Sequence, residues 1–410
     1  MKAFARYLFA LSLTAFCVAC GGGGGGTAPY IPPPPPPPPP PLSVGPDICT
    51  NGSAGDFPCS GITLRKRVPY DLMDGPSGND IWGWFDSSTG KEYALMGMEN
   101  GTAFVDVSDP EDPIFLGRLP SETEDSLWRD IKVYQNHAYV VAGNVPHAMQ
   151  VFDLTRLRGL TSPQIFTADL VYTDFEDAHN IAINEDTGFA YAVGTNTCSN
   201  GLHMIDINTP INPMFAGCYD LTETHDTQCV IYQGPDLDYV NREICVSSNK
   251  DHVEIVDVTV KAAPMSISSI DYPQRAFAHQ GWLTEDHRFF LLGDEGDEGG
   301  GAPTRTHVFE VSDLDAPQYI FAYEAATTTI DHNLYVLGNR VFQANYQSGL
   351  RVLEFGDLAN QELMEIAYLV TYPDTRTGGF AGAWSVYPYL PSGTIIVSDG
   401  TNGLFILSMQ

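Results

Sequence analysis

The segment GTAFVDVSDP at residues 101–110 decides the fold, because the chain returns to it again and again. Related phrases follow as AMQVFDLT from 148, GLHMIDINTP from 201, HVEIVDVT from 252, THVFEVSDLDAP from 306, GLRVLEFGDL from 349 and GLFILSM from 403. Each is an apolar, β-branched run closed by Asp106, Asp153, Asp206, Asp257, Glu310, Glu354 or Ser408, at spacings of 44 to 54 residues. Units of that length holding several short strands are propeller blades, whereas a helical solenoid would show a 3.6-residue period.

Each unit opens with a further strand: IWGWF from 81, RDIKVY from 129, HNIAIN from 179, HDTQCVIY from 225, HQGWL from 279, DHNLYV from 331 and AWSVYPY from 383. The sequence therefore predicts an all-β, seven-bladed propeller. The last unit stops at Gln410 after its third strand, and residues 62–69 can supply the fourth. Closing the last blade with an N-terminal strand removes edges that would otherwise invite aggregation. The repeated acids suggest turn caps, since side-chain carboxylates accept neighbouring backbone N–H groups in tight turns.

Outward from the repeats, residues 1–19 read as a lipoprotein signal peptide. Lys2 and Arg6 precede an apolar stretch too short to span a bilayer comfortably. It ends at Cys17-Val18-Ala19-Cys20, with Cys20 as the lipidated residue, although lipoboxes usually carry Leu where Cys17 stands. Residues 20–45 form an anchor and spacer: a glycine run at 21–26 and a proline run at 32–41. Ten prolines in polyproline II form a stiff rod of about 31 Å. Gly21 is not the Asp of the usual inner-membrane retention signal, so the expected location is the outer membrane or cell surface. Six cysteines remain, in local pairs Cys49 and Cys59, Cys198 and Cys218, Cys229 and Cys245, which suggests disulfides and an oxidising compartment.

The 410-residue chain has 20 basic and 51 acidic residues, a net charge of −31. That balance disfavours nucleic acid and anionic membrane surfaces as partners. It suits cationic partners and divalent ions.

CTNGSAGDFPCSG near the N-terminus, the LVIVD-like repeats, and WRDIKVY, EDAHNIAIN, THDTQCVIYQG and YQSGLRVLEF together resemble the choice-of-anchor B family. The resemblance covers residues 49 to 410. It implies an exported bacterial surface protein with LVIVD-type repeats and a variable anchoring signal, and it brings no established activity.

The strand openings are the candidate site, because in a propeller equivalent opening positions converge on the central channel. Four successive units place His179, His225, His279 and His332 there, with Asp130, Asn180, Asp226, Gln280, Asp331 and Asn333 alongside. Four imidazoles among oxygen donors suit a divalent transition metal such as Zn²⁺, Cu²⁺ or Fe²⁺. The competing reading is that repeat copies keep a histidine for packing. Arg129 reads as an anion clamp on the same rim, Trp82 and Trp384 as an aromatic wall, and Asp294 and Glu295 as acids approaching His279. Residues 293–298, Gly-Asp-Glu-Gly-Asp-Glu, offer oxygen ligands for calcium without EF-hand spacing, or form a solvated acidic loop.

No Gly-x-Ser-x-Gly elbow, His-Glu-x-x-His, phosphate loop or dinucleotide fingerprint is present. Three classes of function fit. The first is a surface-anchored module binding a protein, peptide or glycan. The second is an extracytoplasmic metal-dependent hydrolase or oxidoreductase. The third is a structural envelope component, which would have no concave polar pocket.

Overall fold

The computed structural model describes residues 45–373 and 379–410. The signal segment, Cys20, the glycine run and the proline run lie outside the described residues. Seven antiparallel sheets follow one another along the chain, each with four core strands, and the propeller architecture stands as expected. The innermost strands are Gly78–Asp86, Arg129–Tyr134, Asn180–Asn184, Asp226–Ile231, Ala278–Leu283, Asn333–Leu337 and Ala383–Tyr387, in blades 1 to 7. Neighbouring inner strands touch around the axis, and those of blades 7 and 1 close the ring. Four short 3₁₀ turns are the only helical pieces among the described residues.

Blade 7 is completed by Ile62–Val68, which pairs antiparallel with Gly403–Met409 from Leu404 opposite Val68 to Met409 opposite Ile62. The N-terminal tail then does more than close one sheet. Asp47–Ile48 pairs with Leu64 and Thr63 on blade 7, while Phe57–Ser60 pairs with Leu369 and Tyr368 on the outer strand of blade 6. The Cys49–Cys59 disulfide ties these two pieces together. The tail thus ties blade 7 to blade 6. Blade 1 gains a fifth strand in the same spirit, as Gln164–Ile165 pairs parallel with Gly117 and Arg118.

Middle strands are covered on both faces by adjacent blades, so they read as unbroken runs rather than alternating ones. Glu243–Ser248 and Val253–Asp257 of blade 4 are buried at every position. The outer strand Met265–Ile270 meets solvent and contains three serines. In six blades the third and fourth strands slip by one residue at the same place, as between Met204 and Ile205 or Ile255 and Val256. Such a bulge sharpens the twist that splays blades outward.

Five of the six acids that close the repeats cap turns, and the sixth, Glu354, pairs with Arg340. Asp106, Asp153, Asp206 and Asp257 accept the amides of Ser108, Thr155, Asn208 and Thr259 at 2.9–3.0 Å. Glu310 reaches the Ser312 hydroxyl instead. Cys198–Cys218 and Cys229–Cys245 are also joined, so all six described cysteines are paired. Three disulfides fit an extracellular or otherwise oxidising environment. Among the described residues no helix is long and apolar enough to cross a membrane.

Candidate functional site

The opening residues of consecutive blades stand side by side at one end of the channel. His179 and His225 have ring centroids 4.3 Å apart, His225 and His279 4.5 Å, and His279 and His332 4.3 Å. Trp384 ends the row, 4.8 Å from His332. Two of the rings reach the backbone of the next blade. His225 Nδ1 lies 3.2 Å from the His279 carbonyl, and His332 Nδ1 lies 2.5 Å from the Trp384 carbonyl. A carbonyl only accepts, so Nδ1 carries the proton in both rings and Nε2 keeps its lone pair. Burial pushes all four imidazoles down, His279 and His332 to about 3, which leaves them neutral at physiological pH.

Glu295 is the one predicted acid that joins them. It follows the second strand of blade 5, and its two oxygens lie 3.8 Å from His279 Nε2 and 3.8 Å from His332 Nε2. The Tyr346 hydroxyl donates to Glu295 Oε1 at 2.7 Å and fixes the carboxylate. The ligand atoms of His279, Glu295 and His332 all lie within 4.8 Å of one another. His179 and His225 are outside that set.

Below the histidines a ring of polar side chains links blade to blade. Asp80 accepts the Ile131 amide at 3.1 Å, Asp130 the Ile181 amide at 2.6 Å, and Gln280 the Leu334 amide at 2.7 Å. Asn180 donates to the His225 carbonyl and to Asp226. Lys132 Nζ sits 2.6 Å from Asp130, 3.7 Å from Asp80 and 4.5 Å from the Trp82 ring centre. Burial opposes the Lys132 charge, but Asp130 and Asp80 more than restore it. Asp226 has no such cation to itself, and burial together with Asp130 pushes its carboxyl up to about 8.

Two residues further along each inner strand comes a third layer, following the period of two. Trp282, Tyr335, Trp82 and Tyr387 form an edge-to-face belt on blades 5, 6, 1 and 7, with centroid separations of 4.9–5.8 Å. Tyr389 extends it. Tyr387 reaches in over Gly83, where a Cβ would stand 2.2 Å from its ring. On the opposite wall the same layer holds Lys132, Ala182 and Gln228. The channel is a cavity of about 310 Å³ bounded by these residues and by the histidine row. A shallower hollow of about 270 Å³ on the histidine side of the propeller shares His179 and His225 with it.

Other expected site residues have different surroundings. The Arg129 guanidinium is buried and donates to the Met98 carbonyl and the Ser121 hydroxyl, with His147 Nε2 at 2.9 Å. It locks blades 1 and 2 and does not stand ready as an anion clamp. Asp294 is fully buried and accepts from Tyr272, Ala276, Phe277 and Gly296, so it shapes the loop and does not line the cavity. Asp297 faces Arg305 and His307, and Glu298 accepts the Asp331 amide. The acidic run is therefore neither a solvated loop nor a gathered set of calcium ligands: three of its four acids point into the protein. Asp331 is turned away from His332 and packs on Gly293.

The aromatic belt and Lys132 are absent from the sequence expectations apart from Trp82. Their signal was present as one column of the repeat, two residues beyond the rim acids and amides: Trp82, Lys132, Ala182, Gln228, Trp282, Tyr335 and Tyr387.

No family model and no curated protein matches the chain. Solved structures do: the β-propeller domain of Cps50 (Swd1) from Myceliophteria thermophila aligns over 85% of this chain and 99% of its own, with a TM-score of 0.53 and 10% identity. At that identity the likeness concerns the fold alone, and the fold it shares with this chain is the β-propeller.

Proposed function

We propose that this chain is an exported, lipid-anchored binding module whose central channel takes a ring-sized polar ligand, with a sugar ring of a glycan as the fitting chemistry. The observation that carries this reading is the two-sided channel. One wall is a belt of four aromatic rings, and the other presents Asn180, Asp226, Gln228 and Lys132. A sugar ring offers an apolar face to the first and hydroxyls to the second. The volume lies at the lower end of the range for small-molecule sites. A concave polar pocket on the axis also speaks against a purely structural envelope component.

The anchoring part of the proposal rests on Cys20, the glycine swivel and the proline rod, and it agrees with the resemblance to the choice-of-anchor B family. Three disulfides support export. The ligand part is tested by titrating the protein with a panel of mono- and disaccharides while following tryptophan fluorescence. Saturable quenching is expected, weakened at least 10-fold in Trp282→Ala and in Gln228→Ala. No saturable change with any sugar, in a protein that remains folded, would refute it.

A further inference from the structure

We propose that His279, Glu295 and His332 form a binding site for a divalent first-row transition metal, Zn²⁺ or Fe²⁺, at the mouth of the channel. Two nitrogens and one carboxylate, contributed by two adjacent blades and one loop, are a ligand set that suits these ions. Donors about 2.1 Å from a shared metal stand about 3.0–3.4 Å apart at octahedral to tetrahedral angles. The two Nε2-to-oxygen distances are 3.8 Å, one to each carboxylate oxygen, and the three ligand atoms lie within 4.8 Å of one another, so small shifts of the Glu295 side chain and the two imidazoles close the set on an ion.

The surroundings are those of a prepared site. The proton on His332 Nδ1 is held by the Trp384 carbonyl, which aims Nε2 at Glu295. His279 Nδ1 is buried without a hydrogen-bond partner, so its ring is held by packing between His225 and His332. The Tyr346 hydroxyl donates to Glu295 Oε1, the oxygen that faces His332, and fixes the carboxylate beside both rings. Such outer contacts orient metal ligands and raise their affinity. All three ligand residues line the channel cavity, so the remaining coordination positions face the space where an organic ligand would lie. The inference departs from the four-histidine expectation: His179 and His225 flank the metal without holding it.

The site is tested with metal alone, independently of any sugar. The full chain is stripped with chelator and titrated with Co²⁺, read by visible absorption, and with Zn²⁺, read by calorimetry. One ion per chain is expected, with affinity reduced at least 100-fold in His279→Ala and His332→Ala and 10- to 100-fold in Glu295→Gln. His179→Ala is expected to bind within about 3-fold of the parent. Should either alanine variant fail to fold, Glu295→Gln decides, because that carboxylate is partly exposed and the change keeps its shape. Absence of binding in the parent, or unchanged affinity in a folded Glu295→Gln, would overturn the proposal and leave the sugar reading untouched.

Discussion

The two walls of the channel descend from the same repeat and occupy the same strand positions, yet they solve different problems. Blades 2 to 4 present Lys132, Asp130, Asn180 and Asp226, a hydrogen-bonded set that holds one blade to the next. Blades 5 to 7, with blade 1, present an aromatic belt below and His279, Glu295 and His332 above. Histidines occur on both sides, but only on the second do two imidazoles and a carboxylate bring their ligand atoms within 4.8 Å of one another. The difference teaches that the repeat places side chains at the axis, while an inserted loop gives one pair of histidines its chemistry.

The sharpest way to break this comparison is to remove the cation of the polar wall. Lys132→Met leaves Asp80 and Asp130 buried without their partner, and loss of one member of a buried pair costs about 3–5 kcal/mol. Denaturant unfolding checks it. A variant as stable as the parent would show that this wall does not hold the blades.

Asp226 tests the same wall in the opposite direction. Its folded-state pKa is raised to about 8 against about 3.9 in an unfolded chain, so the folded protein binds the extra proton between those values. Its contribution to stability is complete below pH about 4 and is lost as pH rises to about 8. Asp226→Asn is therefore expected to stabilise the protein by an amount that grows across that window to the order of a few kcal/mol. Thermal midpoints at a series of pH values measure this, and a pH-independent difference would contradict it.

On the other wall, the contrast between His332→Ala and His179→Ala in metal affinity, at least 100-fold against about 3-fold, separates the two halves of the histidine row. Equal losses would mean that all four imidazoles act as one site. The smallest effect is expected far from either wall. Asp206→Ala loses a turn cap to Asn208 and should cost about 0.5–2 kcal/mol, with Co²⁺ affinity unchanged.

Several features were readable without coordinates because they depend on local pattern. The seven apolar runs and their closing acids announce blades and caps, since each blade is built mostly from residues adjacent in the chain. The disulfide pairs are legible for the same reason. Residues 62–69 were legible as the closing strand because the last unit visibly lacked one. What misled was the neighbourhood of the rim. Asp331 precedes His332 in sequence, yet neighbouring side chains on an extended chain point to opposite faces, and the acid enters the protein beside Gly293. Arg129 shares the opening position with the histidines and lines the cavity, but its guanidinium is committed to Ser121 and the Met98 carbonyl.

The sequence by itself determined the propeller, the count of blades, the closure and the convergence of four histidines on one axis, because periodic strands leave few other ways to bury their faces. Only the tertiary structure decided which histidines meet a carboxylate. It also decided that Asp294 and Asp297 face inward, and that the channel has one aromatic and one polar wall. These outcomes depend on distances between residues 37 to 54 positions apart in sequence and on the path of a single loop. A repeat pattern specifies the angle at which each side chain leaves its blade. It does not specify which neighbour that side chain will find.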